Sequence, residues 1–117
     1  MLALMRVISG AGEFTRPEAP PGTHWLEHLT VPDLSVGTYS ILADGDDDQE
    51  PHTEDEIYVV TAGRATFEAG DARVPVEPGS VIYVPAGETH RFVSITEDLA
   101  AIVLFAPAEG TRTAGPG

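Results

Sequence analysis

Between residues 57 and 105 the chain alternates short runs of β-forming residues with Gly and Pro turn signals. This regular spacing of short β-forming runs and turn signals limits the possible folds more than any other feature of the sequence. The predicted strands are 57–61, 64–68, 73–76, 81–84, 89–95 and 99–105, with turn signals at 62–63, 69–71, 77–79 and 85–87. No stretch of helical length repeats apolar residues at i, i+3 and i+4. Short strands at this spacing predict an all-β sandwich or barrel.

Two further strands are predicted upstream, an edge strand over 25–30 and a strand over 34–42. The acidic run 44–48 crowds like charges around a glycine, which predicts a solvated loop; it lacks the alternating ligand pattern of a calcium loop. We therefore expect an N-terminal arm over 1–24, a single domain over 25–107 and a flexible tail over 108–117.

Composition excludes several classes of function. The chain has 117 residues and no cysteine, so disulfides, thiolate nucleophiles and Cys metal sites are excluded. It has no lysine, which excludes a Schiff base on an internal lysine. A formal net charge of −13 repels phosphate backbones and anionic lipids, so neither nucleic acid nor a membrane is expected as a partner. No apolar run approaches the ~20 residues of a membrane span, and no convincing secretion signal is present. A cytoplasmic protein is therefore expected.

Two segments contain candidate metal ligands. The first runs from Glu50 to Gly63 and includes His52 and Glu56; the second runs from Gly79 to His90. They resemble the two signature motifs of the cupin family, G-x5-H-x-H-x3-4-E-x6-G and G-x5-P-x-G-x2-H-x3-N. His52 falls on the second histidine of the first motif, while Glu50 stands in place of the leading histidine. Two smaller departures also occur. Gly45 lies one residue later than the place of the opening glycine in the first motif, and Ser94 stands in place of the final asparagine of the second motif.

The resemblance covers about residues 34–105 and implies a double-stranded β-helix, or jelly-roll, barrel that binds a divalent metal through His52, Glu56 and His90. Glu50 would be either a fourth ligand or a general base beside the metal, whereas strand alternation would point Gln49 away. Two imidazoles and one carboxylate suit Fe, Mn, Zn, Ni or Co. A homodimer is also expected, because edge strands near the N-terminus commonly support dimers in this family.

The spacing of these residues adds a geometric condition. Four extended residues would carry the chain about 13 Å from His52 to Glu56, too far for two ligands whose metal bonds are ~2.0–2.2 Å long. A turn at 53–55 is therefore expected. On the other segment, strand alternation predicts that Ser94 shares the face of His90.

Two hypotheses for the function remain open. The first is a dioxygenase-like or isomerase-like metalloenzyme that acts on a small oxygen-rich metabolite. The second is a non-catalytic small-molecule-binding or sensor protein with a weak or vestigial metal site; an accessory role through protein contacts is a weaker third. His24 and His28 would lie well apart on a strand, so we expect them to be structural or solvent-facing.

Overall fold

The computed structural model describes residues 4–111. This part of the chain contains no helix and six strands: β1 (Thr23–Val31), β2 (Leu34–Ile41), β3 (Asp55–Ala69), β4 (Ala72–Val76), β5 (Val81–Val84) and β6 (His90–Ala106). They form one antiparallel sheet in the order β1-β2-β6-β3-β4, with β5 paired to β3. The fold is all-β, as the strand rhythm predicts. Within the described range, no helix is long and apolar enough to cross a membrane.

Strands β3 and β6 form a long antiparallel ribbon on which the rest of the sheet is built. Its register runs from Asp55 opposite Ala106 to Ala69 opposite His90. β5 pairs with the first half of β3, β4 with its second half, and β2 with the second half of β6. The sequence predicts four separate strands in this region. The structure has two continuous strands interrupted by β-bulges, so that prediction is wrong.

Gly63 explains why the chain bulges at 62–63 and does not turn back. Its φ is 86°, in the left-handed region that favours glycine. A Cβ at this position would lie 2.3 Å from the carbonyl oxygen of Asp98, because β6 passes directly against the β3 backbone here. On β6, Ser94 also has a positive φ, of 49°, and its side chain is exposed. The expectation that Ser94 shares the buried face of His90 is therefore wrong, and Ile95 is buried in its place.

The irregularities lie in the middle of the ribbon, which bends back on itself. At about 3.3 Å per residue, a straight strand from Glu56 to Ala69 would span about 43 Å. Yet His90, the register partner of Ala69, has its Nε2 only 3.0 Å from Oε1 of Glu56. The bend encloses the apolar core: Ile41, Tyr58, Val60, Ala65, Phe67, Val76, Val84, Phe92, Ile95, Leu99, Ala101, Val103 and Phe105. The hydrogen-bonded path ends at β1 and β4, so strand pairing does not close the sheet.

The segments on either side of the sheet pack against it. In the predicted arm, the Gly12 N–H donates a hydrogen bond to Thr38 Oγ1 at 2.8 Å, and β1 already begins at Thr23. Of the predicted tail, residues 108–111 are described, and Ala108 is fully buried. Residues 1–3 and 112–117 lie outside the described part of the chain.

Candidate metal centre

Three of the predicted ligands lie together at one end of the folded ribbon. One ligand atom from each of His52, Glu56 and His90 lies within 4.8 Å of the other two. Glu56 is the second residue of β3 and His90 the first of β6, while His52 precedes β3. The expected turn between His52 and Glu56 is present as a bend at 53–54. The side chains of Glu56 and His90 are 2% and 1% exposed, and that of His52 is 21% exposed.

Hydrogen bonding fixes the orientation of the His90 ring. Its Nδ1 lies 2.7 Å from the carbonyl oxygen of Glu88, which can only accept, so Nδ1 carries the proton. In the neutral ring, Nε2 then directs a lone pair toward Glu56. A backbone carbonyl that holds the outer ring nitrogen in this way is typical of metal-ligating histidines.

The donor atoms at the centre of this group lack partners within the protein. His52 Nδ1 and Glu56 Oε1 are both buried without a hydrogen-bond partner. They are 3.6 Å apart, and the 3.0 Å contact of the same Oε1 with His90 Nε2 lacks the alignment of a hydrogen bond. Buried polar atoms without partners are rare, and a cation among these lone pairs would satisfy them. The residues present therefore fit a divalent transition metal.

The charges in the group are coupled through Glu56. Burial raises the pKa of Glu56, but the two imidazoles outweigh burial and hold the pKa below its usual value. The pKa of His52 is raised, mainly by its contact with Glu56 and against the effect of burial. Burial is the largest single influence on His90 and lowers its pKa, yet Glu56 and the Glu88 carbonyl together raise that pKa above the usual value. The carboxylate thus stays charged and attracts a cation.

A partly buried hydrogen-bond network lies behind the group. The Tyr58 hydroxyl, 3.1 Å from His90 Nε2, donates to Gln49 Oε1 at 2.9 Å. Gln49 Nε2 in turn donates to the buried carboxylate of Asp47, with a shortest distance of 2.8 Å. Because its proton is committed to Gln49, the Tyr58 hydroxyl does not donate to His90. The network therefore leaves the Nε2 lone pair of His90 free for a metal.

Two expectations about this part of the chain need correction. Asp47, expected to be solvated with the rest of 44–48, is buried, although the run itself is a loop. Gln49, expected to point away, lines the cavity beside His52. Residues 45–54 lie outside any strand, so the alternation used to orient Gln49 does not apply to them.

The structure does not bring Glu50 into the group. Its side chain is exposed, and the three converging residues do not include it. The group also excludes His24 and His28, and His28 Nε2 contacts Thr38 Oγ1 at 2.6 Å.

A cavity of about 160 Å³ opens beside His52 and Glu56. Trp25, Tyr39 and Phe105 give it largely aromatic walls, and Gln49 and Glu109 contribute polar groups. An apolar cavity of about 150 Å³ holds a molecule the size of benzene. The space beside the three ligands therefore suits a small metabolite.

The cupin-domain family model matches residues 38–107, more than half of the chain. The chain belongs to the cupin family. This cupin is 45% identical over 85 residues to an uncharacterized protein of Streptomyces coelicolor, a match that covers 73% of this chain and 81% of that protein. It is 38% identical over 66 residues to the acireductone dioxygenase of Geobacillus thermodenitrificans, covering 50% of this chain but only 37% of the enzyme.

Among solved structures, this cupin resembles KdgF from Halomonas sp., with a TM-score of 0.69 and 24% sequence identity. The match covers 81% of this chain and 87% of KdgF. At this identity the likeness concerns the fold alone, and it agrees with the antiparallel β architecture.

Proposed function

We propose that this cupin is a metal-dependent enzyme, dioxygenase-like or isomerase-like, in which His52, Glu56 and His90 hold a divalent transition metal and a small oxygen-rich metabolite binds beside it. The convergence of three donor atoms, two of them buried without hydrogen-bond partners, carries the proposal. The strand arrangement would be the jelly-roll barrel of the family. The match to acireductone dioxygenase, which covers 50% of this chain, supports the dioxygenase-like alternative.

When bound, the metal would polarise an oxygen atom of the substrate or offer a coordination position to O₂. The chain itself provides the environment for that chemistry. Trp25 and Phe105 give the cavity apolar walls against which a small molecule can pack. Gln49 and Tyr58 place amide and hydroxyl groups next to the ligands, where they can orient a bound oxygen-rich molecule. The cavity, about 160 Å³ in volume, suits a small substrate.

The role of Glu50 as a fourth ligand or general base stays a prediction. Its exposed position outside the group favours a site with three protein ligands. A three-ligand site leaves more coordination positions for substrate and water.

Metal content of protein purified without chelator tests the first half of the proposal. Elemental analysis should find a divalent transition metal near one equivalent, and calorimetry should show that the stripped protein rebinds Mn(II). Replacing His52 or His90 with Ala should weaken binding by more than the about 10–100-fold that is typical of changes to outer-shell partners. His24→Ala is the matched control, because His24 lies outside the group, and it should bind metal like the parent protein.

Enzymatic turnover tests the second half of the proposal, that the protein is an enzyme. The stripped protein would be reconstituted anaerobically with Fe(II) or Mn(II) and then offered O₂ with a panel of diols, diketones and catechols. Oxygen uptake would support the dioxygenase-like alternative, and rearranged substrate without uptake the isomerase-like one. Metal that stays bound without any turnover would count against an enzyme.

The alternative function is a non-catalytic binding or sensor protein. One observation favours it: the family's leading histidine is replaced here by Glu50, whose side chain is exposed. Metal that is sub-stoichiometric and cannot be loaded, together with unchanged thermal stability of His52→Ala, would favour this alternative.

A further inference from the structure

The cavity beside the three ligands has polar groups in its walls, but no cationic side chain. Apart from the ligands themselves, its polar lining residues are Tyr39, Gln49, Tyr58 and Glu109. The chain has no lysine, and no arginine among the described residues lines the cavity. A carboxylate or phosphate group of a ligand would therefore find no positively charged side chain in these walls.

Hydrogen bonds within the protein already use the hydroxyl protons at this cavity. The Tyr39 hydroxyl donates to Asp47 Oδ1 at 2.7 Å, since a carboxylate accepts. The Tyr58 hydroxyl donates to Gln49 Oε1 at 2.9 Å, and Gln49 Nε2 donates to Asp47. What the two hydroxyl oxygens offer to a bound molecule is therefore lone pairs, which accept hydrogen bonds.

Glu109 adds a negatively charged acceptor at the rim of the cavity. Its side chain is 34% exposed, and its contact with His52 Nε2, at 3.4 Å, is not a hydrogen bond. Trp25, which is 38% exposed, lines the same cavity and also reaches solvent. A carboxylate attracts ammonium and hydroxyl donors, and the face of an indole ring attracts cations. The rim thus favours a donor group over an anion.

Backbone contacts hold Glu109 in this place. The Glu109 N–H donates to the Ser35 hydroxyl at 2.9 Å, and the neighbouring Ala108 is fully buried. The Ala108 N–H donates to the carbonyl of Pro32 at 3.3 Å, and its own carbonyl accepts from the Thr111 N–H at 3.1 Å. The segment that follows β6 is therefore anchored on the β1–β2 connection, and a change of the Glu109 side chain leaves these backbone contacts in place.

We propose that Glu109 is a specificity-determining residue, which selects a substrate with an ammonium or hydroxyl donor at the rim and disfavours one with a carboxylate or phosphate there. This inference deepens the proposed function and rests on it, because it names the class of small molecule that the same cavity takes. The body of that molecule packs against Trp25 and Phe105, and its donor group lies at Glu109.

Three probes of similar shape test this selection: benzylamine, benzyl alcohol and benzoate. Each carries a benzene ring, which a cavity of about 150 Å³ can hold, and they differ in the end group that would reach the rim. Trp25 is the only tryptophan of the chain, so its indole N–H gives a single NMR signal from the cavity wall. Titrations at neutral pH, where the amine and the carboxylates are charged, would follow this signal in metal-free and in Zn(II)-loaded protein.

We expect the metal-free parent protein to bind benzylamine about tenfold more tightly than benzoate, with benzyl alcohol between them, because attraction of one probe and repulsion of the other add. Glu109→Gln keeps the shape of the side chain and should weaken benzylamine binding about threefold, the range of a partly exposed charge pair. Glu109→Arg should reverse the order of benzylamine and benzoate.

The matched control is Glu18→Gln, which removes the same charge from an exposed side chain that does not line the cavity. It should bind all three probes like the parent protein. In the Zn(II)-loaded form the metal offers benzoate a coordination position in every variant, so there the test is the benzylamine affinity of the parent relative to Glu109→Gln. Equal thermal midpoints of the metal-free variants would show that the fold is intact.

The outcomes separate the inference from the proposed function. Benzoate that binds the metal-free parent protein as tightly as benzylamine, an indole signal that no probe shifts, or a preference that Glu109→Gln leaves unchanged would overturn the role of Glu109 while the metal site stood. A parent protein that binds no divalent metal would overturn the proposed function. In that case the titrations of the metal-free protein would still decide whether Glu109 selects a donor group.

Discussion

At the scale of single residues, Asp47 connects three separate parts of the chain behind the candidate metal centre. Its carboxylate accepts hydrogen bonds from the Tyr39 hydroxyl at 2.7 Å, from the Gln49 amide and from the backbone N–H of Phe92 at 2.9 Å. A carboxylate with several donors holds each of them in one geometry. Asp47 therefore determines where the Gln49 amide points, although it does not itself touch the ligands.

We predict that Asp47→Ala lowers the free energy of unfolding by about 3 kcal/mol, because it leaves buried donors without an acceptor. Urea denaturation measures the change. Asp48→Ala is the matched control: it removes the next carboxylate along the chain, which is exposed, and should cost less than about 0.5 kcal/mol. Equal losses in the two variants would contradict the role of the network.

A second prediction at this scale concerns Glu50. Because its side chain is exposed and outside the group, Glu50→Gln should change Mn(II) affinity by less than about threefold, the equivalent of a small surface-charge effect. Calorimetry of the stripped variant beside the parent protein measures this. A loss of tenfold or more would restore Glu50 as a fourth ligand.

At the scale of elements, motif spacing predicts which three residues converge better than the spacing of turn signals predicts the strands that carry them. Motif spacing identifies His52, Glu56 and His90 because each stands next to a strand end or turn with a recognisable local signal. Gln49 and Glu109 have no such signal. Their positions depend on a coil and on a segment anchored to a distant hairpin, and no periodic pattern describes either one.

The break at 62–63 shows the limit of local signals. Gly63 correctly indicates that regular pairing is interrupted, but a chain reversal and a bulge place glycine in similar conformations. Whether the chain reverses or forms a bulge depends on β6, whose backbone at Asp98 lies against Gly63. That contact joins residues far apart in sequence, so the local pattern cannot distinguish the alternatives.

We predict that Gly63→Ala destabilises the fold by more than about 3 kcal/mol, because positive φ strain adds to a clash with the Asp98 carbonyl. Gly70→Ala separates the two causes. Gly70 also has a positive φ, of 59°, but a Cβ there would meet nothing within 4 Å, so the strain alone should cost about 1 kcal/mol. Chemical denaturation of both variants tests this, and equal costs would show that the close approach is unimportant.

At the scale of the whole molecule, the assembly state stays a prediction. β1 lies at one end of the strand order and exposes apolar side chains, among them Leu26 at 47%. Edges of this kind pair readily with a second copy. We predict a homodimer by light scattering, and Leu26→Glu should convert it to a monomer of unchanged fold.

The matched control for the assembly is Val74→Glu. Val74 is similarly exposed, at 55%, but lies on β4 at the opposite end of the strand order. The Val74→Glu variant should remain dimeric, because the predicted interface is the N-terminal edge strand β1 and not the other edge, β4. A monomeric parent protein would contradict the prediction.

The bent β3–β6 ribbon has a consequence for the kinetics of folding. Glu56 and His90 stand at opposite ends of the ribbon in register, and only the completed bend brings them together. A metal that needs both residues would therefore bind the native state and not a ribbon that has paired without bending. We expect the bend to form after the transition state of folding, and interactions absent from the transition state slow unfolding and leave the folding rate nearly unchanged. A metal at this site would thus lower the rate of unfolding and prolong the lifetime of the folded protein, without raising the rate of folding.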